Sequence, residues 1–271
     1  MKKEAIIPVL LITASIMFSC TNKKLSYRNP DANILFLHHS TGQNVWKGKL
    51  NGLASISQRL GISMVPTYIK AYNKANNKKY AISETWFPGK LYGFDNNPFD
   101  YYNIWVKHAG KELFMGQATL EILSAGYNVI IFKHCFPSSN ILEDDPVPDI
   151  NSEKKTLANY KLQYNALKSK LKEFPGTKFI IWTLAASVEK ATTPEEASRT
   201  REFVNWVKNE WDEPGDNIYI FDFNQIETEG GLYLKPEYAV SETDSHPNAI
   251  LSEKAARIFA DRIIEVLEKN I

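Results

Sequence analysis

Cysteine is scarce in this sequence, which contains only Cys20 and Cys135 among 271 residues. Cys20 is the predicted lipid attachment site described below, so Cys135 has no partner for an intramolecular disulfide. No His, Cys and carboxylate residues recur at metal-ligand spacing either, so no metal and no other cofactor is predicted. The chain must therefore be stabilised by its hydrophobic core.

An excess of one charge is also missing. The 32 Lys and Arg residues are balanced by 31 Asp and Glu residues, for a net charge of +1. A protein that binds nucleic acid needs a basic excess to neutralise phosphates. We therefore expect no nucleic-acid partner.

The apolar run over residues 5–18 is too short to predict a membrane span with confidence. Lys2 and Lys3 precede it and Ser19 and Cys20 follow it. This order of charged, apolar and small residues is typical of a secretory signal. The cysteine after the small residue resembles the end of a bacterial lipoprotein signal.

The sequence thus predicts a signal peptide over residues 1–19, a lipid on Cys20 and a polar tether over residues 20–31. Phe18 departs from the lipoprotein pattern, which usually has a small residue there, and an ordinary cleaved signal is the alternative. We expect the protein to be exported and attached through its lipid to the periplasmic or cell-surface side of a bacterial membrane. A single domain follows over residues 32–271.

Four apolar runs in this domain predict buried strands. They cover Ile34–Leu37, Val129–Phe132, Phe179–Leu184 and Ile218–Phe221. Runs that are continuously apolar are typical of a parallel sheet covered on both faces. Because helical patterns alternate with them, we predict an α/β fold, a three-layer α/β/α sandwich with a mostly parallel, flavodoxin-like sheet.

Three of the intervening helices have clear sequence signals. The first follows Ser152 and stops at Pro175. The second starts at Thr193, with Glu196 completing a capping box. The last runs from about Ser252.

Residues 62–118 do not fit the alternating pattern. Eight aromatic residues lie between Trp86 and Trp105, and prolines and glycines interrupt them. We predict an irregular, aromatic-rich excursion. Its rings either pack in a core or lid, or offer stacking faces for sugar rings.

Two short segments carry groups that suggest catalysis. The first is His38-His39-Ser40-Thr41-Gly42, after the first apolar run, and the second is Asp244-Ser245-His246-Pro247-Asn248, before the last helix. A serine hydroxyl becomes nucleophilic when a histidine accepts its proton and a carboxylate orients that histidine. Reactive groups of parallel sheets gather beyond the carboxyl ends of the strands.

This arrangement resembles the SGNH/GDSL hydrolases, in which a serine follows the first strand and an Asp-x-x-His block precedes the final helix. Ser40 matches the serine, and His246 with Pro247 matches the histidine. The usual Gly-Asp before the serine is replaced here by His38 and His39. The resemblance implies an esterase in which Ser40 is the nucleophile and His246 the base.

The acid of the triad is less clear, because Thr243 occupies the family's position three residues before the histidine. Asp244 is the first candidate, since residues two apart in an extended segment point the same way. Glu242 and Asp222 are the alternatives.

The family's oxyanion hole uses the serine amide, a glycine and an asparagine, and this chain has no Gly-x-Asn after its second apolar run. The candidate donors and site-lining groups are Gly42, Asn44, Asn140, Lys133 and His39, with Gly89 or Gly93 as weaker choices for the glycine. Cys135 beside His134 is a less favoured thiol nucleophile.

We expect an exported serine esterase that hydrolyses small acyl esters, with O-acetyl groups on carbohydrate as one class of substrate. The alternative is a surface lipoprotein that keeps the scaffold and only binds a glycan or a protein, because a fold can persist after its chemistry is lost.

Overall fold

The computed structural model describes residues 24–48, 63–93 and 95–269. The predicted signal peptide, the lipidation site at Cys20 and the first residues of the tether lie outside the described residues, so they stay predictions. Within the described ranges, no helix is both long and apolar enough to cross a membrane.

A five-stranded parallel sheet forms the centre of the domain. Its strands are β1 (Ala32–His38), β2 (Tyr80–Trp86), β3 (Val129–Phe132), β4 (Lys178–Trp182) and β5 (Ile218–Phe221). They lie in the order β2-β1-β3-β4-β5. This is the strand order of flavodoxin-like sheets, so the predicted topology is confirmed. A separate antiparallel ribbon pairs β6 (Ala239–Ser241) with β7 (Asp244–Pro247).

Helices cover both faces of the sheet. They are α1 (Ser40–Lys47), α2 (Met64–Asn76), α3 (Pro98–Tyr102), α4 (Leu120–Ser124), α5 (Leu157–Lys172), α6 (Pro194–Trp206), α7 (Phe223–Thr228) and α8 (Ala249–Glu268). Short π-helical turns continue α3 over Asn103–Lys107 and α6 over Val207–Trp211. Helices α1, α2 and α8 pack together on one face, and α5 packs with α3 and α6 on the other.

The two cores follow from the alternation of side chains along each strand. In β1, Ile34 and Phe36 join the core beneath α1, α2 and α8, whereas Leu35 and Leu37 join the opposite core. All four side chains are buried. The run is continuously apolar because both faces are covered, as predicted.

Two predicted boundaries were wrong by a few residues. Strand β4 ends at Trp182 rather than Leu184, because the chain then turns away from the sheet. The last helix begins at Ala249, before Ser252, because the Asn248 side chain accepts the amides of the first turn.

The prediction of an irregular segment over residues 62–118 was wrong for its first part. Helix α2 and strand β2 lie there, and β2 pairs with β1 along its whole length. The strand escaped prediction because Ser83, Glu84 and Thr85 interrupt its apolar pattern. Residues 87–93 and 95–97 are irregular, as predicted. The prediction was wrong again for residues 98–107, where α3 and its π-helical turn bury Tyr101 and Trp105 in the core.

Candidate active site

Ser40 lies at the carboxyl edge of the sheet, where β1 ends at His38 and α1 begins. It is the first residue of a helix rather than part of a loop. A Cβ atom at Gly42 would lie 2.4 Å from His38 Cβ, so a glycine is needed for α1 to pack this closely against β1. The sharp strand-to-helix turn presents the Ser40 hydroxyl at the rim.

His246 lies in β7, and three contacts fix this strand beside α1. The Asn44 side chain donates to Pro247 O at 3.3 Å, the Val188 amide donates to Ser245 Oγ at 3.0 Å, and the Asn248 amide donates to Tyr238 O at 2.8 Å. Because alternate residues of a strand face opposite ways, Ser245 is buried while His246 stays partly exposed.

The structure joins Ser40, His246 and Asp244 in one hydrogen-bonded chain. Ser40 Oγ lies 2.8 Å from His246 Nε2, and His246 Nδ1 lies 2.6 Å from Asp244 Oδ1. The carboxylate accepts the Nδ1 proton, which leaves the lone pair on Nε2 facing the serine hydroxyl. This is the geometry that a histidine needs in order to take the proton of a serine.

Asp244 holds its histidine through two bonds to one oxygen. The backbone amide of His246 donates to Asp244 Oδ1 at 3.0 Å, in addition to the ring. The backbone bond and the ring together lower the pKa of the Asp244 carboxyl, so the carboxylate form is favoured. A spacing of two residues thus brings the carboxylate to the histidine ring, because the segment is an extended strand.

The two alternative acids lie elsewhere. Glu242 is exposed and pairs with Lys190, and Asp222 caps α7 and pairs with Lys208. Neither carboxylate contacts His246, so Asp244 is the one of the three candidates that is bonded to this histidine.

A cavity of about 290 Å³ opens above the serine. Besides Ser40 and His246, its walls include His39, Trp86, Asn96, Cys135, Phe136 and Lys155. Sequence reasoning missed most of these residues. Trp86 ends β2 in register with His38, so it could have been placed at this rim if β2 had been recognised.

His39 lines the cavity and is also held structurally, so both expectations for it apply. Its Nε2 donates to Pro88 O at 2.7 Å, and its ring stacks on Trp86 with centroids 5.1 Å apart. Burial lowers the pKa of His39 to about 4, so the ring is neutral at physiological pH. Its ring forms a wall of the cavity.

The start of α1 has backbone amides that the helix itself leaves without an acceptor. The first backbone bond within α1 runs from the Gln43 amide to His39 O, so the amides of Ser40, Thr41 and Gly42 have no acceptor within the helix. The partial positive charge of a helix start also favours a developing negative oxygen there. Gly42 packs against His38 and does not line the cavity, and the Thr41 amide donates to the Cys135 thiol. Backbone donors near Ser40 and Gly42 therefore stay a prediction.

The predicted side-chain donors do not reach the cavity. The Asn44 amide is bonded to Pro247, and Asn140 Oδ1 accepts from the Ser187 hydroxyl at 3.3 Å. Lys133 is fully buried, and its Nζ donates to Cys135 Sγ at 3.1 Å. None of these three side chains lines the cavity, because the chain after β3 turns so that Cys135 faces it instead.

The weaker candidates fail in the same way. The Gly89 amide donates to the Gln117 side chain at 2.7 Å, and neither Gly89 nor Gly93 lines the cavity. No donor of the family's glycine block is therefore found at these two positions.

The Cys135 thiol is not paired with a histidine. His134 points away, toward Asn96 O at 3.1 Å, and burial lowers its pKa to about 3. Burial alone would raise the pKa of the Cys135 thiol, but the Lys133 ammonium lowers it below its usual value. Without a histidine beside it, Cys135 lacks the cysteine–histidine pair of a catalytic cysteine.

Comparison with known proteins identifies this fold. No family-level sequence pattern and no curated protein matches the chain. The lipase/acylhydrolase from Enterococcus faecalis is structurally similar, with a TM-score of 0.50 and 14% identity over 86% of this chain and 95% of that one. The chain therefore has the fold of the SGNH/GDSL-type lipases and acylhydrolases, and the predicted resemblance is confirmed for the fold.

Two esterases show weaker similarity. A catalytic mutant of an acetylxylan esterase from Geobacillus stearothermophilus has a TM-score of 0.49 and 12% identity over 89% of this chain and 96% of that one. A family two carbohydrate esterase from Cellvibrio japonicus has a TM-score of 0.43 and 13% identity over 88% of this chain, which spans 62% of that protein.

Proposed function

We propose that this protein is a serine esterase that hydrolyses small acyl esters. The observation that carries the proposal is the chain of hydrogen bonds from Ser40 through His246 to Asp244, 2.8 Å and 2.6 Å long, at the edge of an open cavity. A serine in an ordinary turn has no need for a histidine whose other nitrogen is held by a carboxylate.

The reaction follows from this geometry. His246 Nε2 takes the proton of Ser40 as the oxygen attacks the ester carbonyl carbon, and amides at the start of α1 stabilise the resulting oxyanion. The tetrahedral intermediate collapses, and His246 gives the proton to the departing alcohol. Water, deprotonated by the same histidine, then releases the acid from Ser40.

The size of the cavity favours a short acyl group. Its volume of about 290 Å³ lies at the lower end of the range for small-molecule sites, which is roughly 300–1,000 Å³. Polar groups such as Asn96 and Lys155 share its walls with Trp86 and Phe136. Such a mixture suits an acetyl ester of a polar alcohol better than a long lipid chain.

An O-acetylated carbohydrate is the substrate class that we propose. Trp86 is 39% exposed at the cavity, and an exposed aromatic face is a common platform for a sugar ring.

The proposed export and lipid anchor rest on the sequence of residues 1–20 alone. Replacement of Cys20 by alanine should release the protein from the membrane fraction of a bacterial host into the soluble fraction.

Hydrolysis of 4-nitrophenyl acetate tests the central proposal. We expect the Ser40→Ala variant to lose roughly 10⁴-fold or more of the wild-type kcat/KM, since single triad residues have effects of this size. The matched control is Ser169→Ala on the exposed face of α5, which should hydrolyse the ester as the wild type does. Melting temperatures of all three proteins should agree.

An inactive wild type that is folded and binds acetylated glycans would contradict the proposal. It would favour the alternative of a binding lipoprotein. Activity that survives in Ser40→Ala would place the chemistry at another residue.

A further inference from the structure

A second cavity of about 330 Å³ lies beside the catalytic one. Asp95, Asn97 and Lys155 border both cavities, so the two are direct neighbours. An ester whose acyl group sits at Ser40 therefore has room to extend its alcohol part into the second space.

The second cavity has an aromatic and polar lining with ordered side chains. Phe99 and Tyr92 provide apolar surface. The Tyr92 hydroxyl accepts from the Asn103 side chain at 2.9 Å, and Asp100 Oδ2 accepts from the Asn97 amide at 2.6 Å. Rings beside fixed hydrogen-bonding groups match a sugar residue, which has an apolar face and a rim of hydroxyls.

The charge of this lining is unbalanced. Asp95, Asp100 and Glu153 contribute carboxyl groups, and Lys155 contributes an ammonium group whose Nζ donates to Pro137 O at 3.0 Å. Asp95 and Glu153 are exposed at the cavity mouth. The carboxylates repel an anionic ligand and attract a cationic one.

We propose that the second cavity is the subsite for the alcohol part of the ester, and that it accepts a sugar residue without an acidic group. The assignment rests on the proposed esterase function, because it places the reacting ester at Ser40. Asp95 and Glu153 are then specificity-determining residues. They lower the affinity for acidic sugars and raise it for amine-bearing ones.

The test compares three synthetic mono-O-acetyl methyl glycosides that carry different charges. One is neutral, one is a uronate, and one carries a trimethylammonium group, which avoids acyl migration to an amine. The wild type should hydrolyse the uronate with the lowest kcat/KM and the ammonium compound with the highest. 4-Nitrophenyl acetate serves as the reference ester that lacks a sugar.

The informative variant is the double substitution Asp95→Asn/Glu153→Gln, which removes two charges and keeps the side-chain volumes. It should reduce the ratio of kcat/KM for the ammonium compound to kcat/KM for the uronate about tenfold. The loss of two partly screened carboxylates weakens both the attraction of the cation and the repulsion of the anion. Raising the salt concentration should reduce the wild-type ratio in the same direction. The control is Asp261→Asn/Glu210→Gln, two exposed residues outside both cavities, whose ratio should equal that of the wild type.

The possible results separate the subsite from the esterase function. If the wild type hydrolyses 4-nitrophenyl acetate and the double variant keeps the wild-type ratio within twofold, the subsite assignment is overturned and the esterase function stands. If the wild type does not hydrolyse the aryl acetate, the esterase function fails, and the subsite fails with it.

Discussion

Two histidine–carboxylate pairs lie near Ser40, and they have opposite surroundings. His246 and Asp244 are joined at 2.6 Å with 29% and 41% of their side chains exposed. His38 and Glu84 are joined at 2.8 Å with 0% and 1% exposed. The two distances are similar, so distance alone does not distinguish the pairs. Of the two, the His246–Asp244 pair is the one that contacts Ser40.

The partner of the second ring nitrogen accounts for the difference. His246 Nε2 faces the Ser40 hydroxyl, which can donate a proton to it. His38 Nδ1 instead faces the carbonyl oxygen of His39 at 2.9 Å, so both of its nitrogens face acceptors. Both ring nitrogens are engaged inside the protein, and His38 does not line the cavity. We infer that the buried pair joins β1 to β2 and that the exposed pair performs proton transfer.

The comparison predicts its largest effect at Asp244. In Asp244→Asn, the amide cannot hold His246 as the carboxylate does, so kcat/KM for 4-nitrophenyl acetate should fall about 10³- to 10⁴-fold, or about 4–5.5 kcal/mol in transition-state stabilisation. Urea unfolding should detect little change in stability, because the side chain is partly exposed. Steady-state kinetics and urea unfolding of the same samples check both parts.

The matched controls are Glu242→Gln and Asp222→Asn, which change the two candidate carboxylates that pair with lysines instead of His246. Both should keep wild-type kcat/KM. A large loss in either variant, with Asp244→Asn remaining active, would reverse the assignment of the acid.

Breaking the buried pair of His38 and Glu84 should instead lower the stability of the fold. Glu84→Ala removes one partner and leaves the His38 ring in the core, which should lower the free energy of unfolding by about 3–5 kcal/mol. Urea denaturation checks this value. The folded fraction should retain far more activity than Asp244→Asn. If Glu84→Ala is as stable as the wild type but has lost its activity, the buried pair belongs to the catalytic machinery.

The sequence predicted the two ends of the site because each has a strong local signal. An unbroken apolar run leads to Ser40, and the capped helix α8 follows His246. The flavodoxin-like order then requires strand ends to meet at one rim. Asp244 could be ranked first because side-chain direction in a strand follows from spacing.

The walls of the site could not be predicted in the same way. They come from long-range packing, such as the bond of 2.8 Å from the Cys135 amide to Asn96 Oδ1. Asn140 was chosen for its nearness in sequence to β3, but the chain turns before reaching it and Cys135 faces the cavity. Strand β2 was missed because Glu84 makes its sequence look polar, and the His38 ring that bonds the Glu84 carboxylate comes from a distant segment.

Asp100 is a buried carboxyl group that has no histidine partner among the described residues. We expect its effect on stability to be the smallest of those predicted. Asp100 is only 5% exposed, and burial raises its pKa to about 6 from the usual 3.8. The folded state therefore binds a proton more tightly than the unfolded chain, so this group contributes stability below about pH 4 that is lost as the pH rises through 6. The expected loss is about 2–3 kcal/mol.

Asp100→Asn keeps an acceptor for the Asn97 amide and should remove that decline in stability, whereas Asp261→Asn on the exposed face of α8 should keep it. Urea unfolding of the wild type and both variants at pH 4, 5, 6 and 7 measures the free energy of unfolding. If this free energy changes with pH in the wild type as it does in Asp100→Asn, then Asp100 ionises without a cost in stability.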